Sequence, residues 1–150
     1  MNKTTLWIVV CLVLGAGVLY WLARPAGMEG HMMTPPDTAT LAQGAPIVEV
    51  TVPAALSAEA QMGQRGFEAK CASCHGANAA GQNGIAPPLV HKIYEPSHHG
   101  DMAFVLAAQN GVQSHHWKFG NMPPVAGVTQ ADVIAIATYV RELQRANGIN

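Results

Sequence analysis

Cys71-Ala72-Ser73-Cys74-His75 is the stretch of this chain with the most chemistry in it. Two thiols separated by two residues, with an imidazole directly after the second, form the C-x-x-C-H pattern. Each thiol at that spacing can form a thioether to one vinyl group of a haem. The histidine is then placed to ligate the iron. C-x-x-C alone also serves as a zinc half-site or a thioredoxin-like dithiol. A structural zinc site needs a second ligand pair at ordered spacing. The only other cysteine is Cys11, inside an N-terminal apolar run. A thioredoxin-like reading needs a βαβ context, which the pattern does not offer. The motif therefore predicts one covalent c-type haem, and redox chemistry with it.

A second axial ligand must come from further along. The candidates are His91, His98, His99, Met102, His115, His116 and Met122. Met122 stands in Gly120-Asn121-Met122-Pro123-Pro124, where the prolines stiffen an extended backbone around the sulfur. Met102 falls on an apolar helical pattern and reads as core. Met122 is the expected sixth ligand, since a thioether is a regular partner to histidine on haem iron.

The elements that must position these groups are helical. Ser57 is a suitable N-cap for a helix running to Cys71. Asp101 to Asn110 reads as a second helix, stopped by Gly111. Thr129 and Asp132 resemble a capping box, with Asp in place of Glu or Gln. That box opens a helix with Val133, Ile136, Ala137 and Val140 on one face, ending before Gly148. The expected fold class is all-α, with Gly- and Pro-rich loops wrapping the cofactor. A domain of this size is small for an unaided core, and a covalent haem supplies a large apolar centre.

At this point residues 57–146 resemble the class I cytochrome c family. Gly63 and Phe67 stand eight and four residues before Cys71, where the family's first helix carries a glycine and an aromatic residue. Ile136 and Tyr139 match the aliphatic and aromatic residues of the family's last helix. The resemblance implies that the two helices cross closely at Gly63 and that Phe67 stacks on Tyr139. Ala86-Pro87-Pro88-Leu89 resembles the loop whose proline carbonyl accepts the Nδ1–H of the axial histidine. Pro87 is the matching position, and Leu89 would pack on the haem face. The family usually has Gly before that proline, where this chain has Ala86. The implied site is Cys71, Cys74, His75, Met122, Pro87 and Leu89, with His75 and Met122 on the metal. The family also implies a quinol-oxidising complex as electron donor and a terminal oxidase as acceptor.

Ahead of the domain, residues 6–23 are free of charged side chains and would span ~27 Å as a helix, close to a bilayer core of about 30 Å. Trp7, Tyr20 and Trp21 sit at its ends as interfacial anchors would. Lys3 before the run favours a cytoplasmic N-terminus, while Arg24 weakens that bias. A cleaved signal peptide is the alternative, but Arg24-Pro25 is a poor cleavage context. Residues 1–5 are then a cytoplasmic stub, 6–23 a transmembrane anchor and 24–56 a Pro-rich linker. Residues 57–150 form the haem domain, on the periplasmic side of a bacterial inner membrane. Ile47 to Val52 alternates as a short strand does, and would have to lie against the domain. A flexible linker of this length has an end-to-end distance of roughly 30 Å.

The chain departs from the family in its histidines. His98-His99 and His115-His116 are adjacent pairs, and His31, Met32 and Met33 add donors to the linker. Imidazole and thioether suit copper. The simpler expectation is exposed loop histidines, some bonding haem propionates, with Trp117 or His116 as propionate donor. From Arg24 onward seven Lys/Arg stand against nine Asp/Glu, which is too even for strong electrostatic steering. Lys70, Lys92 and Lys118 form at most a local positive rim. No nucleic-acid partner is indicated. The expected role is a monohaem electron carrier, not an enzyme. The alternatives are an electron-accepting subunit of a periplasmic dehydrogenase and a haem or copper sensor.

Overall fold

The computed structural model describes residues 34–150, together with Asn2, Thr5, Trp7 and residues 13–15. The chain divides into two units, Met1–His31 and Met32–Asn150. The expected stub and anchor, and the start of the linker, lie almost wholly outside the described residues. Within the first unit Thr5, Trp7 and residues 13–15 are helical. Among the described residues no helix is long and apolar enough to cross a membrane.

The second unit is built on helices α1 (Ala58–Lys70), α2 (Ala72–His75), α3 (Asp101–Asn110) and α4 (Gln130–Ala146). Single 3₁₀ turns cover Ala77–Ala79 and Lys92–Tyr94. Local chemistry sets each start. The Ser57 hydroxyl accepts the Ala60 N–H at 3.1 Å and satisfies one of the free amides of α1. At α4 the Thr129 hydroxyl accepts the Asp132 N–H, and the Asp132 carboxylate accepts the Thr129 N–H at 2.8 Å. This is the expected capping box, with the shorter Asp side chain closing it.

Helices α1 and α4 cross at Gly63, where a Cβ would overlap the Ala135 carbonyl. The absent side chain lets the backbones touch. One turn on, Phe67 and Tyr139 are both fully buried, with ring centroids 5.7 Å apart and planes tilted by 56°. The rings thus meet at a tilt rather than stacked in parallel, within the centroid range of favourable aromatic pairs. Ile136, Val140 and Leu143 of α4 complete this core with Ala60, Ala79 and Val90. A second cluster packs Val105 and Ala108 of α3 on Val133 of α4.

Two expectations are corrected. Met102 is not core: it is 52% exposed. Val105 and Ala108 form the buried stripe of α3, while its first turn is held by an ion pair from Asp101 to Arg141 at 2.8 Å. Residues 47–52 form no strand, and no strand occurs among the described residues, only the isolated bridges Gln82–Ala86 and Val112–Met122. The amides of Ile47 and Val48 both donate to the Ala80 carbonyl, at 3.1 and 3.2 Å, which bends the chain out of extended geometry. Thr51 exchanges two bonds with the Asn147 side chain, each 2.9 Å. The segment does lie against the domain, but as an irregular strap. The strap continues upstream: the Asn83 side-chain amide donates to Leu41 O at 2.8 Å, and Gly44 and Ala45 bond the Asn83 backbone.

Candidate functional site

The C-x-x-C-H motif folds as one helical turn directly after α1. Cys71 caps α1 through a 2.8 Å bond from its N–H to Phe67 O, and its own carbonyl accepts the His75 N–H at 2.8 Å. Neither thiol is in a disulfide; Cys71 is half-buried and Cys74 exposed. Burial, helped by the neighbouring Cys74, pushes the Cys71 thiol up to about 11. It therefore stays protonated at neutral pH, and its addition to a vinyl group is not driven by a stabilised thiolate.

His75 is 9% exposed. Its Nδ1 lies 2.9 Å from the Pro87 carbonyl, which can only accept, so Nδ1 carries the proton and Nε2 keeps its lone pair. Burial holds the imidazole below its ordinary pKa, and the Pro87 bond works against that. The neutral, ligand-competent form is the one favoured. Gly81 brings the Pro87 loop close. Its φ of +73° is in the left-handed region, and a Cβ there would come within 2.5 Å of Pro88 N. Ala86 fits where the family has Gly, because it is not among the residues of positive φ. Its N–H and C=O are both paired with Gln82, at 3.1 and 2.9 Å.

Gln82 is a residue that sequence reasoning missed. Its side-chain amide donates to Ser73 O at 2.9 Å and Cys74 O at 3.1 Å. These carbonyls would otherwise end the short helix α2 unpaired. A lone Gln in a Gly-rich loop carries no mark of that role in the sequence.

Met122 is fixed by an isolated antiparallel bridge as well as by its prolines. Val112 and Met122 exchange both backbone bonds at 2.9 Å. Inside the loop they close, Ser114 N donates to the Asn121 side chain at 2.9 Å.

A cavity of about 720 Å³ opens between these parts. That lies within the roughly 300–1,000 Å³ of small-molecule and cofactor sites. All six expected site residues line it: Cys71, Cys74, His75, Pro87, Leu89 and Met122. His99, His115 and His116 also reach its wall, whereas His91, His98 and Met102 do not border it. His91 instead caps the Lys92–Tyr94 turn, its Nδ1 accepting the Ile93 N–H at 3.2 Å. Burial lowers its pKa, which keeps it a neutral acceptor.

The cavity fits a haem by a further mark. Trp117 lines it, is 7% exposed, and its buried indole N–H faces the Tyr94 phenol but makes no hydrogen bond of good geometry. Such a donor costs about 1–3 kcal/mol unless something accepts from it. A propionate oxygen is a chemically suitable acceptor. Burial pushes the nearby Tyr94 phenol up, and the Trp117 indole offsets part of that shift. Tyr94 is thus a neutral group at the wall, adding no charge of its own.

The far side of the site hangs on a buried polar network. Arg141 is 6% exposed and donates to Asp101 Oδ1 (2.8 Å), Tyr94 O (2.6 Å), Gln144 Oε1 (2.6 Å) and the His99 carbonyl. Gln144, fully buried, donates to Leu89 O at 2.8 Å and Tyr94 O at 3.0 Å. Residues 89–101, of which Leu89, Tyr94 and His99 line the cavity, are tied to α4 by these bonds. Arg141 also lies 5.0 Å above the Phe104 ring.

No curated protein matches this chain. The family model described as Cytochrome c matches residues 60–144. That span covers more than half of the sequence and runs from the first turn of α1 to near the end of α4. It contains both cysteines, His75, the Pro87 loop and Met122. The chain therefore belongs to the cytochrome c family, and it transfers electrons through a covalently bound haem c.

Proposed function

We propose that this protein is a membrane-anchored, monohaem electron carrier with His75 and Met122 as axial ligands. Residues 6–23 would hold it in a bacterial inner membrane, with residues 57–150 in the periplasm. It would pass single electrons from a quinol-oxidising complex to a terminal oxidase.

One observation carries the ligand assignment. The free Nε2 of His75 and the thioether of Met122 belong to side chains lining the same cavity as both cysteines. When bound, haem supplies a one-electron Fe²⁺/Fe³⁺ couple. The chain's own residues do the rest. The Pro87 carbonyl orients His75 and keeps its proton on Nδ1. The Val112–Met122 bridge holds the sulfur donor in place. A thioether opposite an imidazole favours a higher potential than two imidazoles do. The apolar wall formed by Leu89, Phe104, Val133 and their neighbours would exclude water and disfavour the more charged ferric state.

Docking would be brief and small in area, as for redox encounters generally. Exposed Ile85 and Leu106, 41% and 53% accessible, border the cavity and offer apolar contact surface at its rim. The nearly balanced charge argues against strong steering.

The deciding measurement is the visible spectrum of the purified protein, oxidised and reduced. A ferric charge-transfer band of methionine–iron type is the expected result. Covalent haem without that band would refute Met122 as ligand. The anchor is tested separately. A chain lacking residues 1–23, exported by a cleavable signal, should leave the membrane fraction and stay redox-active. Persistent membrane association would refute residues 6–23 as the anchor.

A further inference from the structure

We propose that His98, His99 and His116 form a binding site for a divalent copper or zinc ion, distinct from the haem iron. Each of the three imidazoles places one nitrogen within 4.8 Å of those of the other two. They come from separate segments. His98 and His99 lie in the turn before α3, and His116 lies in the loop that leads to Met122. His98 Nε2 and His116 Nε2 are 3.3 Å apart. Two ligands on a tetrahedral ion at 2.0–2.1 Å are separated by about 3.3–3.4 Å. Little movement is needed for both to face one cation.

The third imidazole is already oriented. His99 Nδ1 is 2.6 Å from the Ile93 carbonyl, so that nitrogen is the donor and Nε2 retains its lone pair. Metal-ligating histidines commonly make this second bond to a carbonyl. The Arg141 guanidinium grips the His99 backbone carbonyl from the other side. His115 adds a fourth ring at the edge, 4.4 Å from that of His116, with its Nδ1 donating to Gln113 O at 2.9 Å. Burial and mutual repulsion hold His99 and His116 below the ordinary histidine pKa, which favours the neutral ligand form.

The donor set chooses the ion. An all-imidazole site suits Zn²⁺ and Cu²⁺ and offers nothing to the oxygen-seeking Mg²⁺ or Ca²⁺. A bound cation would staple the turn before α3 to the Met122 loop. It would also set a positive charge beside the haem cavity, whose wall His99 and His116 share. That charge favours the reduced iron.

The test is metal titration of the haem-loaded full-length chain, stripped with chelator and then given Cu²⁺ or Zn²⁺ alone. The expected result is one ion per chain for at least one of the two metals. His98→Ala and His116→Ala should each weaken binding by roughly 100-fold or more, while His31→Ala leaves it unchanged. The Soret band of each variant checks that its haem domain is folded. Should the variants fail to fold, electron paramagnetic resonance of the Cu²⁺-loaded wild type decides. Hyperfine coupling to three or more nitrogens supports the site, and fewer than three overturns it. No stoichiometric binding of either ion, or binding unaffected by both replacements, also overturns it. These histidines would then serve the haem propionates only.

Discussion

Gln144→Ala is the most demanding test of how the site is held. The side chain is fully buried and makes three hydrogen bonds, of 2.6, 2.8 and 3.0 Å. Truncation removes all three. Arg141 keeps Tyr94 O, the His99 carbonyl and Asp101, and Tyr94 O keeps Arg141. The Leu89 carbonyl loses its donor. An orphaned buried carbonyl costs about 1–3 kcal/mol, and the vacated volume adds about 1 kcal/mol more. The sum is about 2–4 kcal/mol. A water entering the space would bond Leu89 O and bring the cost toward the lower end. For a domain of this size that lowers Tm by roughly 10–30 °C. The assay is denaturant unfolding of the haem-loaded protein, followed at the Soret band and by tryptophan fluorescence. Because Leu89 lines the haem cavity, the spectrum of the folded variant should shift as well. Gln144→Glu keeps an acceptor for Arg141 and loses the two donated bonds, so it should fall between wild type and Ala. A loss under about 0.5 kcal/mol with an unchanged spectrum would refute the view that this network fixes residues 89–101.

Met122→Ala should lower the reduction potential and let carbon monoxide bind the ferrous protein; potentiometry and CO difference spectra check this, and unchanged values exclude the residue as ligand. Gly63→Ala should force α1 and α4 apart and cost about 3 kcal/mol or more, read from the denaturation midpoint, since the new methyl meets backbone rather than a movable side chain. Asp132→Asn should make acid stability less pH-dependent. The Thr129 bonds hold the Asp132 carboxyl below its ordinary value of 3.8, so its contribution is complete above that value and is lost as pH falls through the depressed folded pKa. Wild type and variant should therefore converge in stability at the lowest pH, and a gap that widens on acidification would contradict the capping role.

The legible parts of this molecule are those with short-range grammar. Cys71, Cys74 and His75 name their chemistry by spacing alone. Ser57, Thr129 and Gly111 mark helix ends because capping acts over three or four residues. Gly63, Phe67, Ile136, Tyr139 and Pro87 were readable through a family resemblance that preserves two contacts, the helix crossing and the bond to His75. Long-range polar contacts were not readable. Arg141 looks like any surface cation on α4, yet its carbonyl partners lie 42 and 47 residues away. Gln82 and Gln144 are similarly silent. Met102 is exposed because α3 is apolar on more than its buried side, with Leu106 exposed as well. The alternation of residues 47–52 suggested a strand, but no partner strand exists among the described residues, and the amides found Ala80 and Asn147 instead. The histidine pairs were visible as pairs. Their meeting across 18 residues was not.

The strap also bears on where this domain begins as a transferable part. Its polar groups interlock with the haem domain as far upstream as Thr38, whose carbonyl accepts from Asn83 at 3.3 Å. A fragment cut at Ser57 would strip partners from the Asn83 amide, the Ala80 carbonyl and the Asn147 side chain together. Grafting onto another anchor or electrode is better done before residue 38, where a splice leaves every one of those bonds intact.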